Sequence, residues 1–347
     1  MSETSKTSSS AAWIRRWLVL VGLMVYAMIL IGGATRLTDS GLSITEWNPV
    51  SGALPPMSPE AWEVEFAKYR ETTEYQLVNK GMSMAEFQKI FWWEWGHRFF
   101  GRMIGLVAVG GFVVFAVRGW LTKRLTWHLI ALIGLGGLQG AIGWWMVGGG
   151  IGGTTRVDVA PYRLMTHFML ALLIIAYVSW LWLDLGGKAR SVASQSIKLV
   201  SLALLVAIFL QMAAGALVAG LDAGRSYNDW PLMAGELVPS HYLENGLGIR
   251  SLFEGRAATQ FNHRLLAYLI WAGALASAWA YRKTEFRTGF VWLAGLVSLQ
   301  AVWGIVTLVH AAPMNLALVH QGLGVIVTLA AVRLVWRSTG RLPVSAG

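Results

Sequence analysis

Seven histidines occur in this chain, and four of them occupy equivalent places. His97 stands at the start of one apolar run, His167 about one turn into another, and His263 and His320 at the starts of two more. The other three fit blander settings. His128 lies beside the basic pair Lys123 and Arg124, His241 lies in a polar stretch, and His310 ends an apolar run with its role left open. Ionisable groups inside a bilayer are costly and mark function by default. Two imidazoles on separate helices of one bundle, at one height, can ligate a single haem iron from both faces, and bundle cores are common cofactor sites. Zinc is the weaker reading, because no further carboxylate or thiolate recurs with both pairs.

Neighbours of these histidines add chemistry. Glu94 precedes His97 by three residues, so on a continuous helix the two share a face. The matching position before His263 is Gln260. A carboxylate can serve as base, nucleophile or stabiliser of positive charge, and an amide cannot do the first two. A Glu facing water at the membrane boundary is the bland alternative. Arg98 and Arg264 each follow a candidate ligand. Two readings of them stand: a bidentate pair with a haem propionate, or an arginine snorkelling to lipid headgroups. Trp92, Trp93 and Trp95 read as an interfacial belt or as a pocket wall.

The elements that must hold these residues are membrane helices. Of 347 residues, 55% are hydrophobic and only 13% charged, about half the charge of a soluble domain. Eight runs, at 17–35, 99–117, 125–147, 162–183, 199–220, 261–280, 289–309 and 316–335, are each long enough to cross a bilayer as a helix. The first exceeds the apolar core of a signal peptide and is kept as a span. The expected fold is therefore an all-α polytopic membrane protein of eight transmembrane helices. The polar stretches 36–96 and 221–260 become long outer loops, the first with a helix-like acidic segment at 60–74. The Gly-rich run 148–153 has no strand before it and reads as a loop, not a nucleotide fingerprint.

The net charge of +10 is scattered between apolar runs, which argues against a nucleic-acid face and sets topology instead. With the N-terminus inside, the inner segments hold fifteen of the 28 Lys and Arg residues against three acids. The positive-inside rule then puts both termini in the cytoplasm, and the four histidines near the opposite face. The absence of cysteine removes disulfides, thiolate metal sites and cysteine nucleophiles.

The chain also repeats itself. Gly32-Gly33 through Asp39-Ser40-Gly41 to Trp47-Asn48-Pro49 echoes Gly215-Ala216 through Asp222-Ala223-Gly224 to Trp230-Pro231. The segment Glu94 to Arg98 echoes Gln260 to Arg264, Leu138-Gln139 with Gly143 echoes Leu299-Gln300 with Gly304, and His167 echoes His320. Four spans return a chain to its starting side, so the halves share one orientation and a pseudo-twofold axis along the membrane normal. The expectation is two four-helix bundles, residues 1–190 and 191–347.

In combination, GGATRLTDSGLSITEWNPVSGALPP from Gly32 to Pro56, EWGHR from Glu94 to Arg98, FNHR from Phe261 to Arg264 and His320-Gln321 resemble the haem A synthase family, in the type shared by alphaproteobacteria and mitochondria. The resemblance runs from Arg15 to about Arg337. It implies an inner-membrane oxidoreductase that oxidises a methyl group of haem O to a formyl group by two successive hydroxylations with water-derived oxygen, for haem-copper oxidases. It further implies a permanent haem b on His263 and His320, substrate haem between His97 and His167, and Glu94 as the essential carboxylate. Haem O synthase is the implied partner within the membrane lipid; a homo-oligomer stays open. Other bacterial members carry cysteine pairs in their outer loops, so no thiol step transfers to this chain. Two further classes compete: a dihaem b-type electron carrier acting on quinone, and a transporter or assembly scaffold.

Overall fold

A computed structural model of the protein describes residues 3–148, 157–186, 192–244 and 246–340. Among the described residues the secondary structure is helical, with no strand. In chain order the helices are α1 (Glu3–Leu37), α2 (Pro59–Arg70), α3 (Thr73–Leu77), α4 (Met84–Val117), α5 (Lys123–Val147), α6 (Pro161–Asp184), α7 (Gln195–Gly220), α8 (Ser251–Glu254), α9 (Arg256–Ala280), α10 (Arg287–Val309) and α11 (Met314–Ser338). Seven of them, α1, α4, α5, α6, α7, α10 and α11, are long and apolar enough to cross a membrane. The eighth long helix, α9, carries Gln260, Asn262, His263 and Arg264 in its first three turns, which lowers its apolar character.

Packing follows the apolar patterns. Helices α1, α4, α5 and α6 meet in adjacent pairs, as do α7, α9, α10 and α11, while α6 meets α7 and α11, and α1 meets α11. One core gathers Ile14, Leu18, Leu129, Leu172 and Leu181; another gathers Ile208, Phe286, Phe290, Leu293 and Ala331. Large apolar side chains also point outward, with Leu106 at 65% and Trp292 at 68% exposure. Such faces suit lipid, where apolar surface needs no cover. Small residues allow close contact within the core: Trp17 lies against Gly111, where a side chain would overlap its indole, and donates to the Val107 carbonyl at 2.9 Å.

The segment between α1 and α4 is folded. Ser83 accepts from the Glu86 N–H while Glu86 accepts from the Ser83 N–H at 2.8 Å, a capping box that starts α4 fifteen residues before its apolar run. That early start puts Glu94 and His97 on one continuous helix. The acidic segment forms α2 and α3, which fasten to the extension of α4 through stacked Phe66, Tyr69 and Phe87, with Phe91 beside them. Of the Gly-rich run 148–153, Gly148 caps α5 and the remainder lies outside the described residues, as do Lys188, Arg190 and Arg341 of the basic inner set.

Candidate haem-binding site

Four helices carry the four histidines: His97 on α4, His167 on α6, His263 on α9 and His320 on α11. All line one cavity of about 1380 Å³, together with Glu94, Arg98, Arg102 and Arg264. Drug-sized sites occupy about 300–1,000 Å³, so this space suits a larger guest. Each imidazole rests against a glycine of a neighbouring helix. A methyl group built on Gly32 would lie 3.2 Å from His97 Nε2; on Gly143, Gly215 and Gly304 it would lie 3.1, 3.1 and 2.8 Å from Cε1 of His167, His263 and His320. Larger residues at these four places would push the rings out of position.

The ring centroids of His263 and His320 are 6.5 Å apart. Metal–imidazole bonds of about 2.0–2.1 Å on opposite sides of one metal atom put two such centroids about 6 Å apart. The pair therefore fits a shared axial-ligand role. Gln211 Nε2 donates to the His263 carbonyl at 3.0 Å, and Gln300 Nε2 donates to the His320 carbonyl at 2.9 Å. The amide oxygens of Gln139, Gln211 and Gln300 are buried with no hydrogen-bond partner. Groups of this kind beside a ring can receive the N–H that a ligating imidazole retains.

Glu94 is 2% exposed, so it does not face water at a membrane boundary. Its Oε2 accepts from Ser43 Oγ at 2.8 Å and from the Ile44 N–H at 2.7 Å; Oε1 accepts from Arg98 Nε at 3.0 Å and Nη2 at 2.5 Å. Four donors fill the lone-pair sites of the carboxylate. Ser43 has one proton and three acceptors in range, Glu94 Oε2, Ser40 O at 2.9 Å and Ile90 O at 3.3 Å. A turn of this hydroxyl frees one position on Glu94. At the repeat position, Gln260 Nε2 donates to the carbonyls of Ala223 at 2.9 Å and Tyr227 at 3.0 Å. The loop after α1 thus presents donors to an acid, and the loop after α7 presents acceptors to an amide.

Arg98 and Arg264 reach neither lipid nor open cavity with all their donors. Arg98 also donates to Ile44 O and Glu46 O, both at 2.8 Å, and Arg264 donates to Tyr227 O at 3.0 Å and to Asp229 O and Leu232 O, both at 3.1 Å. Each clamps a loop onto a histidine-bearing helix. Donors without partners remain on Arg264 Nε and on Arg102 Nη1, both buried. Arg102, one turn beyond Arg98, escaped the sequence reading because it follows no histidine.

Other residues fall where their surroundings dictate. His128 Nδ1 pairs with Tyr177 Oη at 2.7 Å, His310 Nδ1 sits 2.8 Å from the Val306 carbonyl, and His241 is exposed. None of these three lines the cavity. Glu74 on α3 does line it and was unexpected as a site residue, since its segment reads as solvated acid. It is 4% exposed with Oε2 unpartnered. Burial and the nearby Glu94, Asp158 and Asp39 carboxylates push its carboxyl up to about 8.

Comparison with known proteins identifies relatives along nearly the whole chain. A family described as cytochrome oxidase assembly protein matches residues 15–332. A protein of Hyphomonas neptunium named "Heme A synthase" is 68% identical over 340 residues, covering 98% of this chain and 97% of its own. Proteins of the same name from Caulobacter sp. (strain K31) and Maricaulis maris are 47% and 46% identical, covering 92% and 96% of this chain and 94% and 97% of their own. Paired imidazoles, glycine cradles and a match over nearly the full length converge on one assignment: the chain belongs to the cytochrome oxidase assembly protein family whose relatives carry the name haem A synthase.

Proposed function

We propose that this protein is a haem A synthase, an oxidoreductase that converts the methyl group of haem O to the formyl group of haem A. The carrying observation is that four cradled histidines share one cavity while a fully bonded, buried carboxylate stands beside only one pair. In this reading His97 and His167 hold substrate haem O, and His263 and His320 hold haem b. When bound, haem b would pass on, one at a time and to an external electron acceptor, the two electrons that each hydroxylation releases. Arg264 Nε and Arg102 Nη1 are donors available to propionates, with Arg98 and Arg264 keeping the loops closed over the site.

Glu94 acts as a fixed charge or, once Ser43 turns away, as a base in this reading. Both of its oxygens accept two hydrogen bonds as they stand, which holds the carboxylate in place. Its negative charge favours a methyl carbon becoming electron-deficient, which water then attacks. Rotation of Ser43 toward a carbonyl opens Glu94 Oε2 to the proton that water loses. A second hydroxylation gives a gem-diol, which loses water to leave the formyl group.

The proposed architecture has eight spans in two four-helix bundles, 1–190 for the substrate and 191–347 for haem b, related by a pseudo-twofold axis. Support comes from α9, whose 25 residues extend about 37 Å at 1.5 Å each, enough for the roughly 30 Å hydrocarbon core. Equivalent bends at Asp39 and Asp222, each with φ of 50°, support the repeat. The charge asymmetry supports the inner membrane with both termini cytoplasmic and the haem sites near the periplasmic face. Haem O is itself a membrane molecule, so its supplier, haem O synthase, acts in the same bilayer.

Pigment extraction and mass analysis of the purified protein tests the assignment, with haem b expected alongside haem O, a hydroxylated haem or haem A. Glu94→Gln is expected to cut haem A formation by about 10²–10⁴-fold, the range for loss of a positioned acid–base group, while bound haem stays. Normal haem A output from that variant, or haem b alone in the wild type, would support a dihaem electron carrier instead.

A further inference from the structure

The four histidine cradles are not equal. On α5, α7 and α10 the cradle glycine is preceded by a glutamine four residues earlier: Gln139 before Gly143, Gln211 before Gly215, Gln300 before Gly304. Each amide nitrogen donates to the backbone carbonyl of its histidine, at 3.1, 3.0 and 2.9 Å, and lies against the ring, 3.3, 3.1 and 3.2 Å from Nδ1 and 3.3, 3.3 and 3.5 Å from Nε2. Three imidazoles are thus gripped between a glycine and an amide. On α1 the residue four before Gly32 is Met28, the repeat partner of Gln211. Its Cε abuts Gly101, one turn beyond His97, 3.2 Å from where a Cβ would stand. A thioether donates no hydrogen bond. Among the described residues, no side chain hydrogen-bonds the His97 ring.

We infer that Met28 makes His97 the yielding ligand of the four, the imidazole that leaves iron when substrate haem enters and product haem departs, with His167, His263 and His320 held fast by their amides. The inference rests on the haem A synthase reading and deepens it. A cofactor must stay and a substrate must exchange, so one weakly supported ligand in the substrate pair is what turnover requires. Removing an outer partner of a ligating histidine weakens metal affinity by about 10–100-fold, and Met28 has that omission built into the chain. Gly101 gives Met28 the room to lie there, as Gly324, at the corresponding place after His320, does for Met212 and Gln300.

Carbon monoxide is the probe, because it binds ferrous haem only where an axial ligand lets go. In the reduced, purified holoprotein the CO difference spectrum is expected to show substrate or product haem reacting and haem b not. Met28→Gln should slow CO association at the substrate haem by about 10–100-fold, and Met28→Leu should keep the wild-type rate. Gln300→Met should make haem b CO-reactive, and it keeps the inference testable if Met28→Gln does not fold. A wild-type CO rate in a folded Met28→Gln protein, or an unreactive haem b in Gln300→Met, would overturn the inference while leaving the enzyme assignment intact. Absence of substrate or product haem in the wild-type protein would instead defeat the assignment itself.

Discussion

At the scale of single residues, burial decides which polar groups carry chemistry. Glu94 and Glu74 both line the cavity, yet they are provided for differently. Glu94 receives four donors, and Glu74 Oε2 receives none. The Glu74 carboxyl, pushed up to about 8 by burial and by Glu94, Asp158 and Asp39, with Tyr69 hydrogen-bonded to it, holds its proton at neutral pH. In the unfolded chain the same group ionises in the ordinary carboxylate range. Between about pH 4.5 and 8 the folded form therefore binds more protons than the unfolded form, so stability falls as pH rises through this window. The apparent melting midpoint in detergent should drop between pH 6 and pH 9 by more in the wild type than in Glu74→Gln. Parallel pH profiles for the two proteins would contradict this account. The four cavity histidines were legible in the sequence because each recurs near the start of an apolar run with a counterpart in the other half. Glu74 was not, since an acid in a charged stretch reads as solvated until α2 and α3 fold over it. Met28 and Gln211 were equally silent, because a methionine or an amide on an apolar helix reads as packing.

Among elements, the loops after α1 and α7 depend on side chains of the helices beneath them. Arg98 ties Ile44 and Glu46 to α4, and Arg102 donates to Pro49 O at 2.9 Å and Asn48 O at 2.8 Å. The loop after α1 is thereby sewn down along two turns, directly over Glu94. The equivalent clamp of Arg264 holds three carbonyls of the second loop. Guanidinium geometry is what permits one side chain to serve a carboxylate and two carbonyls at once, and an ammonium cannot reproduce it. Arg98→Lys should loosen residues 40–50, seen as faster amide hydrogen exchange there, with a stability loss of about 1–3 kcal/mol from unsatisfied buried groups. Exchange in the 227–232 loop should stay unchanged, and loosening of both loops alike would argue for global destabilisation. The helices were readable from apolar runs to within about five residues, except α1, which begins fourteen residues before its run, and α4, whose start depends on the Ser83 and Glu86 cap and on aromatic packing below it. The clamps had no signature, because the loop carbonyls they hold belong to no residue type.

For the whole molecule, the halves are joined by specific contacts across their boundary. Arg36 bridges to Asp222 at 2.6 Å and donates to Ala219 O at 3.0 Å, and Gln321, next to His320, donates to the Ile29 carbonyl at 2.8 Å. Gln321 also packs against Gly33, and the adjacent Gly32 cradles His97. Contacts of Gln321 and Gly32 thus link His320 to His97 across the boundary between the halves, a short path for the electron transfer proposed above. This layout requires the two histidine pairs to sit at one membrane depth, and that in turn requires α9 to cross the bilayer although its first turns are polar. Helix α9 is thus the element on which the proposed architecture turns. The absence of cysteine makes the question direct, since single introduced cysteines report sidedness without background. Met57→Cys and Ser240→Cys, in the two outer loops, should react with a membrane-impermeant maleimide in intact spheroplasts, whereas Lys283→Cys, between α9 and α10, should react only after lysis. If positions 240 and 283 label together, α9 does not span, the second half holds three spans, and the pseudo-twofold axis is lost. Labelling of 57 and 240 from one side and 283 from the other is the pattern that eight spans demand.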